Sequence, residues 1–145
     1  MKYEYAPELK EKVKQVISRL GLNHIRVDDV ECIRSVGSTS NAIARIHALG
    51  KVMQLALKRD ALYVIEFIHE RFDKMSEEDK IKTIIHELMH IPKSFGGGFK
   101  FHDYVCEKNV GVLYRRYLMG EANNIKFEQE DIEKELNKKK GFSFW

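Results

Sequence analysis

With 145 residues, 43% of them hydrophobic and 32% charged, the chain has the size of one ordinary domain and enough apolar content for a core without disulfide staples. No apolar run approaches the roughly 20 residues that cross a bilayer, so no membrane span is expected. The 25 Lys and Arg exceed the 22 Asp and Glu by a scattered net charge of only +3, which does not indicate a nucleic-acid partner.

The opening MKYEYAPELKEKVKQVISRLG interleaves charges with apolar residues and lacks the continuous apolar centre of a signal peptide. A cytoplasmic location follows as the expectation, and Cys32 and Cys106 are then free thiols. Pro7 suits a first helical turn, Leu9, Val13, Val16, Ile17 and Leu20 recur at helical spacing, and Gly21 supplies the stop. A strand is expected from Val30 to Val36, running into the loop SVGSTS. The stretch NAIARIHALGKVMQLALKR fits a helix or two strands broken at Gly50, and strands are the preferred reading. LYVIEF, from Leu62 to Phe67, is a strand by its β-branched and aromatic content.

Ser76 followed by Glu77, Glu78 and Asp79 starts a helix, with a capping hydroxyl and acids where the helix dipole favours them. That helix is expected to reach Ile91, because Pro92 disfavours helical geometry before it. KSFGGG then makes a mobile connection, a second helix is expected from Phe101 to Leu118, and Gly120 ends it. Residues 121–145 read as a charged surface helix, with Ile132 and Leu136 one turn apart, and an aromatic tail carrying Phe142, Phe144 and Trp145. Residues 1–120 are taken as the main domain, and 121–145 as part of the same unit.

The chemistry concentrates in HELMHIPKSFGGGFKFH, residues 86–102. At about 100° per residue, His86 and His90 lie about 40° apart in projection and about 6 Å apart along the axis, so both imidazoles can reach one ion. Ile81, Ile84, Ile85, Leu88, Met89 and Ile91 share the opposite, core-facing side. Glu87 stands about 60° round from His90, beside an ion rather than on it, as a general base should. Zinc in a catalytic site takes three protein ligands and keeps a position for water. His102 follows after eleven residues that include Pro92 and three glycines, so the chain can turn back. Glu107 and Glu121 compete for the third position; His102 is preferred because it opens the next helix directly after the return loop.

Cys106 lies one turn beyond His102, where a small buried apolar role is weighed against an approach to the metal. Asp103 either orients a ligand imidazole or caps the helix. His24, His47 and His69 lack a partner at ligand spacing and read as structural. The glycines form an ordinary loop rather than a phosphate cradle, because no Gly-Lys-Ser or Gly-Lys-Thr follows.

IIHELMHI resembles the active-site helix of the zincin metallopeptidases. The longer stretch ALYVIEFIHERFDKMSEEDKIKTIIHELMHIPKSFGGGFKFHDYV resembles a small family of archaeal and phage metallopeptidases, with the likeness extending over about residues 30–120. The resemblance implies an α+β, zincin-like fold, a small mixed β-sheet packed against an active-site helix with flanking helices, whose edge strand can hold an extended peptide. It makes His86, His90 and His102 the ligands of one Zn2+ per chain and Glu87 the base of a peptidase acting on peptide or protein substrates. The short HExxHxxGxxH spacing of metzincins is absent, and no Met-turn follows His102. Tyr104, Tyr114, Arg115 and Arg116 stay open as oxyanion stabilisers. SprT-like proteases, which act on DNA-linked proteins, are similar in their distant third histidine. A metal-dependent endoribonuclease and a non-catalytic, metal-stabilised binding or regulatory module are the competing functions.

Overall fold

In the computed structural model, which describes residues 1–123, the chain runs β1 (Lys2–Tyr5), α1 (Pro7–Leu20), β2 (Val30–Val36), β3 (Ala44–Ala48), α2 (Lys51–Leu57), β4 (Tyr63–Ile68), α3 (His69–Phe72), α4 (Glu77–Met89) and α5 (Glu107–Asn123). The sheet order is β1-β2-β4-β3. β2 and β4 are parallel, while β1 pairs with β2 and β3 with β4 in antiparallel fashion. The fold is therefore α+β with a mixed sheet, and β3 is left at one edge. No helix among the described residues is long and apolar enough to cross a membrane.

Strand alternation sends Tyr63, Ile65 and Phe67 of β4 to one face, each 0% exposed. Val30 and Cys32 of β2 stand beside them in register. The helices cover this face with matching apolar stripes: Leu9, Val13, Val16, Ile17 and Leu20 of α1, Ile81, Ile84, Ile85 and Leu88 of α4, and Val110, Val112 and Leu113 of α5. Truncating one such leucine or isoleucine to alanine typically costs about 2–5 kcal/mol, so α4 is anchored by several contacts of that size. Its start is set locally, since Ser76 Oγ accepts the Asp79 N–H at 3.2 Å. α1 begins at Pro7 and is closed by Gly21 at φ 63°, whose N–H reaches the last carbonyls.

Three expectations need correction. Residues 51–57 form α2, not a second strand: Met53, Gln54, Leu55, Ala56 and Leu57 are strong helix formers, and Gly50 supplies an extended N-cap. This helix leaves Val52 and Leu55 more than 80% exposed and is tied down through Gln54, whose Nε2 donates to Leu49 O at 2.7 Å and Gly96 O at 3.0 Å. Residues 101–106 are turns, with Tyr104 and Val105 donating back to Phe101 O, so the last described helix starts at Glu107 rather than Phe101. It continues through Gly120 to Asn123, because a glycine inside a helix costs only about 1 kcal/mol and does not by itself end one. The short strand β1 has no counterpart in the sequence reading. The expected helix and aromatic tail beyond Asn123 lie outside the described residues.

The other face of β4 carries a buried acid. Glu66 is 3% exposed and accepts from Arg45 Nε at 3.1 Å and from His47 Nε2 at 2.8 Å. Both partners belong to β3, so this cluster fastens the edge strand to its neighbour from the side away from α4.

Candidate metal centre

α4 carries His86 and His90 one turn apart, and His90 is its C-terminal cap, in helical geometry at φ −70°. The return from His90 to His102 is built, not slack. Phe95 is 3% exposed and stacks edge-on against Tyr63 at 4.9 Å between ring centres. The Tyr63 hydroxyl accepts the Gly97 N–H at 2.9 Å and donates to Gly98 O at 2.8 Å. The mobile connection expected of KSFGGG is thus a hydrogen-bonded loop held from β4.

The loop closes on α4 through a reciprocal pair. Lys100 N–H donates to His90 O at 2.8 Å, and His90 Nδ1 lies 2.7 Å from Lys100 O. A carbonyl only accepts, so Nδ1 carries the proton and Nε2 is left with its lone pair. Two residues further on stands His102, which opens a turn rather than a helix. One ligand atom from each of His86, His90 and His102 lies within 4.8 Å of the others, with ring centres 4.9–5.7 Å apart. Three imidazoles of which one has its second nitrogen fixed by a carbonyl form a donor set that suits a divalent metal ion.

Electrostatics agree with that donor set. Burial, with the nearby charges of His90 and His102 when protonated, holds His86 down at about 4, so it is neutral and able to donate its lone pair at neutral pH. Burial also lowers His90. Glu87, 5% exposed, has its Oε2 3.9 Å from His86 Nε2, and burial pushes its carboxyl up to about 7. A cation at the triad would act on that carboxyl in the opposite sense.

Two open pockets flank the triad. Both are lined by Ala44 of the edge strand together with His86 and Glu87. The alternatives weighed in the sequence separate here. Cys106 and Glu107 fall outside the histidine cluster, and the Glu121 side chain lies outside the described residues. Asp103 Oδ1 accepts the Tyr104 N–H at 3.0 Å. His24 donates to Ile91 O at 3.2 Å, His47 binds Glu66, and His69 Nδ1 sits 2.7 Å from Asp73 Oδ2, so all three have structural partners. Tyr104, Tyr114, Arg115 and Arg116 do not line either flanking pocket.

The sequence reading missed the Lys100 carbonyl, the Tyr63 hydroxyl and the walls supplied by β3. Only Tyr63 had a signal: a tyrosine on the buried phase of LYVIEF needs a hydrogen-bond partner for its hydroxyl.

Comparison with known proteins bears on what this centre is. No curated protein and no solved structure matches the chain. One family model, described as Putative phage metallopeptidase, matches residues 1–136. A metallopeptidase family implies a metal, and the converging histidines could hold one. By that match, which covers all but the last nine residues of the sequence, the chain belongs to the putative phage metallopeptidase family.

Proposed function

We propose that the protein is a zinc-dependent peptidase of the zincin type, with one zinc ion per chain held by His86, His90 and His102 and with Glu87 as general base. The observation that carries this reading is the convergence of the three imidazoles within 4.8 Å, beside a buried carboxylate and along a free sheet edge. Zinc at such a site supplies Lewis acidity towards water and towards a carbonyl oxygen.

The chain's own groups do the rest. Glu87 takes a proton from the attacking water on a carboxylate oxygen as the new C–O bond forms, and passes it to the leaving nitrogen as the C–N bond breaks. The burial that raises its carboxyl keeps bulk water from competing for that proton. His90 is held in one tautomer and orientation by Lys100 O. The outer edge of β3 has no neighbour in the described sheet, and its backbone groups can pair with an extended peptide. Two free cysteines fit a cytoplasmic setting.

Elemental mass spectrometry of the purified chain, combined with a peptide-cleavage assay, tests the reading. About one zinc per chain is expected, clearly reduced in His102→Ala, with Glu87→Gln keeping metal and losing cleavage by a factor of at least about 100. Metal-free wild-type protein, or cleavage that Glu87→Gln leaves intact, would overturn it. RNA cleavage surviving Glu87→Gln would instead favour a nuclease.

A further inference from the structure

The two pockets beside the triad are arranged along the edge strand. The first, with a volume of about 480 Å³, reaches Ala42, Ile43 and Ala44 at the start of β3 and is completed by Met75 and Val110. The second, of about 350 Å³, reaches Ala44, Arg45 and Ile46 and is completed by Phe99 and Phe101. Neither pocket ends at the histidines, since His86 and Glu87 line both. A peptide extended along β3, advancing about 3.3 Å per residue, therefore has room on each side of the group nearest Glu87.

The walls differ in chemistry. Ile43, Met75 and Val110 give the first pocket an aliphatic wall, where a thioether adapts to aliphatic shapes, and Asp79, Lys82, Thr83 and Glu107 add a polar side to its lining. In the second, Phe99 is 40% and Phe101 77% exposed. They flank Lys100, whose backbone is locked to His90, so these rings project from a fixed point beside the triad. The cations at the walls already have partners: Lys82 Nζ binds Glu78 at 2.8 Å, Arg45 binds Glu66, and Lys100 Nζ lies 4.2 Å from the Tyr104 ring centre. An arrangement that anchors a peptide's C-terminal carboxylate calls for a cation aimed at the site, and these are committed elsewhere.

Resting on the peptidase reading above, we propose that the protein is an endopeptidase whose cleft passes through the metal centre and accepts apolar side chains on both sides of the scissile bond. An aliphatic side chain goes to the Ile43–Met75–Val110 pocket, and an aromatic or large aliphatic one goes against Phe99 and Phe101.

The test uses the full, zinc-loaded chain and a library of decapeptides, each made with free ends and again with N-acetyl and C-amide ends, with products mapped by mass spectrometry. Blocked and free peptides are expected to be cut at similar rates, between two apolar residues. Phe101→Ala, at an exposed position, is expected to lower kcat/KM for substrates with an aromatic residue on that side by about tenfold, the loss of one apolar contact. The loss should be larger for those substrates than for substrates with small residues there, and metal content should not change. A readout free of turnover is the affinity of Glu87→Gln protein for the best blocked peptide, which should weaken by about the same factor when Phe101→Ala is added. Cleavage confined to peptides with a free end, with Asp79 and Glu107 of the first pocket then the natural amine anchors, would overturn the through-running cleft and leave the peptidase standing. Cut sites between charged residues, or a Phe101→Ala variant with unchanged selectivity, would overturn the side-chain assignment alone. No cleavage of any peptide would remove the peptidase reading and this inference together.

Discussion

Gly97→Ala tests whether the return loop is what delivers His102. Gly97 sits at φ +103°, and a Cβ built there meets Leu49 O and Gln54 Nε2, each at 2.7 Å. The backbone conformation alone costs an alanine about 1–3 kcal/mol. Gln54 can swing away only by giving up its bonds to Leu49 O and Gly96 O, each worth about 1 kcal/mol net. Leu49 O is backbone just after β3, where the Leu49 N–H is bonded to Leu62 O, and cannot yield separately. The expected cost in metal-free protein is thus about 3–5 kcal/mol, a large part of the about 5–15 kcal/mol that holds a domain together. If the loop shifts to relieve the strain, His102 moves with it and metal affinity falls instead. Urea unfolding of the metal-free chain, together with a competitive zinc titration, measures both. Gly98→Ala is the control: nothing lies within 4 Å of its Cβ and its φ is not positive, so it should stay within about 0.5 kcal/mol of wild type. Equal behaviour of the two variants in both assays would refute the account of the loop.

Three further outcomes are expected. Burial raises the Glu66 carboxyl, but hydrogen bonds from His47 and Arg45 outweigh it and leave the group below its ordinary value. Its stabilisation is therefore full above about pH 4.5 and fades as pH falls through the lower folded-state value. Glu66→Gln should cost about 1–3 kcal/mol at pH 7, and the gap from wild type should narrow in urea titrations below about pH 4; a gap independent of pH would contradict the ion cluster. Burial pushes the Cys32 thiol up to about 12, so an alkylating reagent at pH 8 should label it only in denaturant, as peptide mass mapping would show; labelling of the native chain would place it at the surface. Chelation should lower the melting temperature of zinc-loaded wild type, because a ligand bound only by the folded state at 100 times its Kd adds about 2.7 kcal/mol. His102→Ala should show a much smaller chelator-induced drop, and an equal drop in both proteins would take His102 out of the site.

Much of the site was legible because its grammar is local. Ser76 as cap, the apolar stripe of α4 and the placing of His86 and His90 on one side all follow from spacings of three and four residues, the distances over which a helix bonds to itself. Pro7 and Gly21 bounded α1 in the same way, and the residues of β2 and β4 alternate or cluster strongly enough to be read directly. The preference for His102 over Glu107 came from its place after the glycines, and the structure brings it to the other histidines.

What spacing could not decide was settled by contacts between distant residues. The helix at 51–57 has local causes, but where it docks depends on Gln54 finding Gly96 O, 42 residues along. The loop that turns His102 back is held by Tyr63, 34 positions before Gly97. β3 became the edge beside the histidines through its antiparallel register with β4, and a pairing register is a property of two segments that neither encodes alone. The sequence by itself determined the helix that presents His86, Glu87 and His90, because that element is built from its own neighbours; the tertiary structure decided the third histidine's position, the two pockets and the free edge, because each exists only where separate segments meet.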